Sequence, residues 1–365
     1  MKIKICNIFF SLLLSTITFA QTKNKVEHVI IVSIDGLRWQ EVFNGMDSAI
    51  ANNKKFNQKD SLGIYKKYWA ETTNERRLKL MPFLWSKFSN EGQIFGNRTL
   101  GNKVNVSNPY WFSYPGYNEM LCGFTDLNIN TNAYPPNPNT NLLEFTNKLK
   151  GFEGKVAAFC AWDAFDRILN EKRSNFPVIC GNDSCGGTKA DKEQLLLNKL
   201  KHDSYNPFKE EALDVYTHYM ALDFLKKEKP RMMYISYGET DEWAHEGHYK
   251  DYLNSVNQID HWLKDIWNFL QSDNTYKDKT LLFVTVDHGR GDATKSEWTS
   301  HNSKIKGADE IWFSVLGPNV DAKGEMNLEV QLFQKQFAQT IAKMLNFKFE
   351  CEHPVAEPID CLFKN

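Results

Sequence analysis

Short apolar runs at 28–34, 155–159, 231–236 and 280–286 punctuate the chain, each bounded by polar or glycine residues. Unbroken apolarity of this kind is the pattern of a strand covered on both faces, as in a buried parallel sheet. Between these runs, apolar residues recur with helical period at 194–200, 210–227, 249–270 and 332–345. Strands alternating with helices predict an α/β fold, with a mostly parallel central sheet, helices on both faces, and loop or cap insertions. The Asn- and Pro-rich stretch 128–141 is predicted to be a loop, placed where a connection could touch substrate. No internal repeat, low-complexity tract or long linker divides the chain, so 21–365 is expected to form one catalytic domain.

The first twenty residues change the picture. Lys2 and Lys4 precede an apolar stretch from 8 to 19, and Thr18-Phe19-Ala20 supplies a small-residue exit. This is the layout of a secretory signal peptide over 1–20. The stretch falls short of the roughly 20 residues a spanning helix needs. The mature protein is therefore expected to be exported, periplasmic or secreted, with no membrane span. The full chain's formal charge of −1 argues against a nucleic-acid partner.

Cysteine usage fits export. Cys6 leaves with the leader, and Cys122, Cys160, Cys180, Cys185, Cys351 and Cys361 stay. An even number in an exported chain predicts disulfides. Cys180 with Cys185 and Cys351 with Cys361 would close short loops, leaving Cys122 with Cys160. Zinc ligation by these cysteines is disfavoured because paired C-x-x-C knuckles are absent.

Candidate chemistry collects where the predicted strands end. Ile34-Asp35-Gly36 follows the first, Glu239-Thr240-Asp241-Glu242-Trp243-Ala244-His245 the third, and Val286-Asp287-His288-Gly289 the fourth. Functional groups in open α/β sheets gather at the carboxyl ends of strands, so three distant turns can converge. Asp241 and His245 share one face if the turn opens a helix. Carboxylate with imidazole favours zinc, whereas calcium and magnesium prefer oxygen alone. Singly, each motif reads equally well as a turn, a cap or a chance helical pair.

Taken in order, Ile34-Asp35-Gly36-Leu37-Arg38, Ser113-Tyr114-Pro115, Asp241 with His245, Asp287-His288-Gly289, and His301 resemble the alkaline phosphatase superfamily. The nucleotide pyrophosphatase/phosphodiesterase branch and related phosphatases are the most similar, and the match runs from about 29 to about 318. The resemblance implies two divalent metal ions, with zinc the expected metal. One would be held by Asp241, His245 and His301, the other by Asp35, Asp287 and His288, with the oxygen of Ser113 completing the coordination of the latter. It implies Ser113 as the nucleophile of a phosphoric ester hydrolase acting on a small phosphorylated organic substrate. It also implies an asparagine on a phosphoryl oxygen: Asn132 is the nearest match, with Asn130 and Asn137 open.

The sequence departs from the family in instructive ways. His301 is followed by Asn302 where many relatives carry glycine, and His248 offers an alternate imidazole near His245. The Lys/Arg pair with which some monoesterases clamp phosphate has no clear counterpart; Trp162-Asp163-Ala164-Phe165-Asp166-Arg167 offers Arg167 as its only cation. Monoester and diester therefore both remain open. A sulfatase of the same superfamily would need an arginine where Tyr117 stands. Two further readings are a phosphotransferase with an organic acceptor and a secreted binding protein that keeps the fold without turnover.

Overall fold

A computed structural model describes residues 25–363. The expected signal peptide and Cys6 lie outside the described residues. Eleven strands form two sheets: β1 (His28–Ile34), β2 (Gln93–Phe95), β3 (Asn102–Asn105), β4 (Val156–Cys160), β5 (Val178–Cys180), β6 (Met232–Tyr237), β7 (Thr280–Thr285), β8 (Glu310–Ile311), β9 (Phe313–Leu316), β10 (Gly324–Glu325) and β11 (Val330–Phe333). The large sheet runs β10-β2-β9-β7-β1-β6-β4-β5, and the small one β11-β3-β8. The β7-β1-β6-β4-β5 centre is wholly parallel, and β9 runs antiparallel to both β7 and β2.

All residues of β1, β4, β6 and β7 are buried, which is why these segments read as continuous apolar runs, and β9 is buried throughout as well. Val29, Ile30, Val32 and Ile34 of β1 are fully covered, each contributing about 1.5–3 kcal/mol on burial. This is the predicted α/β fold with a mostly parallel central sheet.

Six helices carry the site or pack around it: α1 (Ser113–Cys122), α2 (Lys192–Asp203), α3 (Asp214–Glu228), α4 (Glu239–His245), α5 (Tyr249–Ser272) and α6 (Phe337–Met344). The stretch 332–345, expected to be helical throughout, opens as β11 and one tight turn before α6 begins. Parallel pairing of Val330–Phe333 with β3 takes the first residues out of the helix. The loop at 128–141 carries no helix or strand, as expected. Among the described residues, no helix is long and apolar enough to cross a membrane.

The cysteine expectations need correction. All six are free thiols. The Cys180 and Cys185 thiols turn to different partners, the Asp163 carbonyl (3.3 Å) and Asn198 Oδ1 (3.4 Å). Cys160 lies opposite Cys180 in paired strands, and the Cys351 thiol faces the Cys122 carbonyl at 3.8 Å, so neither neighbours its expected mate.

Candidate metal centre

The carboxyl ends of β1, β6 and β7 lie side by side, because β1 pairs with both others in register. Asp35 follows β1, α4 follows β6, and Asp287-His288 follow β7. The topology thus brings together what the chain separates by up to about 250 residues.

Asp35, Asp287 and His288 form one buried cluster. His288 Nε2 lies 3.4 Å from Asp35 Oδ1 and 3.3 Å from Asp287 Oδ2. Each carboxylate commits its other oxygen to a fixed donor: the Tyr117 hydroxyl donates to Asp35 Oδ2 (2.7 Å), and Gly36 N–H to Asp287 Oδ1 (3.1 Å). Asp35 Oδ1 and Asp287 Oδ2 are left buried with no hydrogen-bond partner. The Nδ1 of His288 lies 2.9 Å from the Gly289 carbonyl, which assigns a proton to that nitrogen and turns Nε2 toward the two oxygens, where its lone pair serves a cation once the Nε2 proton leaves. Orphaned carboxylate oxygens converging with an imidazole lone pair are costly in an apolar interior and suit a divalent cation.

Asp241, His245 and His301 form the adjoining cluster. Asp241 and His245 stand on one face of α4, as their spacing predicts. His245 Nε2 lies 3.0 Å from Asp241 Oδ2 and 2.9 Å from His301 Nε2, and His301 Nε2 is 3.7 Å from Asp241 Oδ1. His301 Nδ1 faces the Trp111 carbonyl at 3.3 Å, so its Nε2 also offers a lone pair. The clusters share a wall: His288 Nε2 is 3.8 Å from Asp241 Oδ1, and the rings of His288 and His301 stack with centroids 3.9 Å apart.

Three carboxylates this close perturb one another. Burial, then the neighbouring Asp241, holds Asp35 above the usual carboxylate range, and burial followed by Asp35 does the same to Asp287. Burial would raise Asp241 too, but Arg290, then His245 and His301, hold it well below. Burial would lower His288, yet Asp287 and Asp35 override it and push it up to about 9. Excess negative charge in a closed site is what a bound cation relieves.

Ser113 is the first residue of α1, and its Oγ lies 3.4 Å from His288 Nε2. The helix N-terminus favours negative charge on that oxygen. Pro115 is tolerated because it sits in the first turn. The approach is shaped by Trp111, a non-glycine residue at φ 56°, and by buried Glu119, which accepts from the N–H groups of Ser107 (2.8 Å) and Asn108 (2.6 Å).

Asn132 is placed beside the same helix end, its Oδ1 accepting from Tyr114 N–H at 3.0 Å. Asn137 is engaged inside the fold by Asn118 Oδ1 and the Ile168 carbonyl, and Asn130 is exposed. His248 stacks on Trp243 and pairs loosely with Asp251, away from the clusters. Asn302 adopts φ 154°, the positive-φ half that glycine prefers, and its Oδ1 accepts from Lys304 N–H at 2.9 Å. Asparagine thus keeps a glycine-like backbone after His301.

Arg167 donates to the carbonyls of Asn132 (3.4 Å) and Tyr134 (2.7 Å), so it tethers the 128–141 loop. Sequence reasoning missed Arg290, which follows Asp287-His288-Gly289 directly and reaches Asp241. It also missed Asp214, which accepts from Gly238 N–H (2.8 Å) and Glu239 N–H (3.1 Å) and so caps α4 from α3. Nothing local marks a cap supplied from across the fold.

Residues 208–348 match the Metalloenzyme superfamily. Among solved structures, the chain is similar to the lipoteichoic acid synthase LtaP from Listeria monocytogenes (14% identity, TM-score 0.58, covering 93% of this chain and 76% of that one). It is similar to wild-type alkaline phosphatase PafA (11% identity, TM-score 0.59, 93% and 99%). A third likeness is to BT1596, a 2-O GAG sulfatase (11% identity, TM-score 0.56, 93% and 74%). At these identities the likeness establishes the fold. No curated protein matches this chain.

Proposed function

For a chain with the fold of the alkaline phosphatase superfamily, whose residues 208–348 match the metalloenzymes, we propose a metal-dependent phosphoric ester hydrolase with Ser113 as nucleophile. The observation that carries this reading is two adjoining carboxylate–imidazole groups, Asp35–Asp287–His288 and Asp241–His288–His301 with His245 against Asp241 and His301, and the Ser113 oxygen 3.4 Å from Nε2 of the shared His288. Asp35, Asp287 and His288 would hold one divalent cation, and Asp241, His245 and His301 the other, with zinc favoured by the mixed donor set. Bound there, such cations supply Lewis acidity that favours a serine alkoxide and steadies the leaving oxygen.

The chain's own residues do the rest. Ser113 Oγ attacks phosphorus in line with the departing alcohol, giving a phosphoseryl ester that water then cleaves. The N-terminus of α1 steadies charge on Oγ. Asn132, fixed through Oδ1, has its Nδ2 left to donate to a phosphoryl oxygen. Tyr117 and Gly36 keep the two carboxylates oriented.

Within this class a diester is favoured over a monoester. Arg38, Arg167 and Arg290 are all engaged by protein groups: Glu41 and the Gly291 carbonyl, the 128–141 loop, and Asp241. A doubly charged monoester gains more from free cations than a diester does. A sulfatase reading is weakened because Tyr117, where its arginine would stand, is buried against Asp35. A transferase with an organic acceptor is separated by product analysis with and without an alcohol.

The test is parallel kinetics on bis-p-nitrophenyl phosphate, p-nitrophenyl phosphate and p-nitrophenyl sulfate, with wild type and Ser113→Ala. A phosphoric ester should turn over fastest, and the substitution should lower its rate about a thousandfold or more. Preference for the sulfate contradicts the proposal.

A further inference from the structure

The two clusters are not equivalent, and the difference traces to Arg290. Its side chain is only 1% exposed. Nη2 donates to the Asp241 carbonyl at 3.0 Å and to Asp241 Oδ1, and Nη1 reaches the Trp298 carbonyl at 3.5 Å. Gly36 makes room for this pair. It sits at φ 57°, and a Cβ there would lie 2.5 Å from Asp241 Oδ1 and 2.9 Å from Arg290 Nε.

The donor sets differ in charge. Asp241 is the sole carboxylate of its cluster, and a guanidinium occupies one of its oxygens and offsets its charge. Oδ2, on the His245 side, stays free of the guanidinium. The other cluster has two carboxylates, each backed by a neutral donor, the Tyr117 hydroxyl or the Gly36 N–H. Exposure differs in the same direction. The His245 side chain is 43% exposed, whereas His288 and Asp287 are fully covered. One cluster is open on its His245 side, with a single carboxylate offset by a guanidinium; the other is closed and carries two carboxylates.

We propose that Arg290 sets a hierarchy of metal affinity, so that the Asp241–His245–His301 cluster binds its cation more weakly and exchanges it first, while the Asp35–Asp287–His288 cluster retains its own. This rests on the two-cation reading above. Arg290 acts here as a positioning residue through Asp241. A partner that only orients a metal-bound carboxylate would, when removed, weaken binding about 10- to 100-fold. Charge relief predicts the opposite sign. Asp241 keeps its place without Arg290 because α4 carries it and Asp214 caps that helix.

The experiment is zinc titration of the metal-stripped full chain, by calorimetry with a competing chelator, with stoichiometry from native mass spectrometry. Wild type should bind two ions in unequal steps. His301→Ala should leave only the tighter step and Asp287→Ala only the weaker one. Arg290→Gln should tighten the weaker step about tenfold, since removing a nearby positive charge relieves Coulomb repulsion of the cation, and Arg290→Lys, which keeps the charge, should leave it near wild type. Equal steps, survival of the weaker step in His301→Ala, or an Arg290→Gln variant with unchanged or weakened binding overturns the proposal. Should Arg290→Gln fail to fold, the wild-type, His301→Ala and Asp287→Ala titrations still decide the hierarchy. If no zinc binds at all, the two-cation reading itself falls, a result distinct from two equal sites.

Discussion

Gly116 decides how closely the helix that carries Ser113 approaches the turn that carries His288. A Cβ built at Gly116 would lie 2.4 Å from the Asp287 carbonyl oxygen and 3.1 Å from its carbon. That carbonyl cannot swing aside cheaply, because Gln334 Nε2 donates to it at 2.8 Å. In Gly116→Ala, relief to an ordinary contact therefore requires α1 to back away by about 0.6–1.0 Å in a close-packed interior. Ser113 precedes Gly116 by one helical turn and moves with it, stretching a separation from His288 Nε2 that is now 3.4 Å. A misplacement near 1 Å costs about 100-fold in rate. Stability should change less: overpacking costs about 1–3 kcal/mol, against about 0.5–1 kcal/mol returned by alanine in a helix. The assay is kcat/KM on the best phosphoric ester substrate, alongside thermal unfolding and zinc content. We expect kcat/KM to fall about 100-fold with both zinc ions retained. Activity within about threefold of wild type would mean that this contact does not set the position of Ser113.

Further predictions concern titration and thiol chemistry. Burial lowers His218, stacked on Trp262 with Nδ1 2.9 Å from the Tyr237 hydroxyl, to about 3. The folded state thus holds it neutral while the unfolded chain protonates near 6.5, so its contribution is full above pH 6.5 and is lost as pH falls toward 3. At pH 4.5 the loss is about 2.7 kcal/mol, and urea unfolding of His218→Phe should show a drop from pH 6.5 to 4.5 smaller by about that amount; an unchanged drop contradicts this. With His288 raised to about 9, cation binding to its cluster must displace a proton, so zinc affinity there should weaken about tenfold per pH unit below 9. Calorimetry in buffers of different ionisation enthalpy should register that proton, and pH-independent affinity would count against it. Burial raises the thiols of Cys122, Cys160, Cys180 and Cys185, and these are more enclosed than Cys351 and Cys361. Iodoacetamide on native protein should therefore label Cys351 and Cys361 first and all six only after unfolding; recovery of a Cys180–Cys185 linked peptide would show otherwise.

How much of the molecule was legible in the chain depended on whether the signal was local. The run at 28–34 maps onto β1 residue for residue, because a strand buried on both faces has no polar alternation to blur its limits. Asp241 and His245 fall on one helical face as their spacing predicts. The short strands β2, β8 and β10 were not legible, since two or three residues carry no period and owe their form to a neighbour's hydrogen bonds. The same holds for β11, where pairing with β3 overrides a helix-like pattern. At the site, the candidate ligands other than His301 come from the turns and the helix that follow strand ends and could be grouped by motif. Their supports could not: Asp214 acts from a distant helix, and Gly116 matters only because the carbonyl of Asp287, far along the chain, lies against it. Arg290 was in plain view, yet its role needed the geometry of Asp241.

Anomalous diffraction at the zinc edge, from crystals of zinc-loaded protein, locates the bound cations outright. Two peaks are expected, one within about 2.0–2.3 Å of donor atoms of Asp35, Asp287 and His288, the other likewise coordinated by Asp241, His245 and His301. A single peak, or peaks coordinated by other residues, would contradict the two-cation reading.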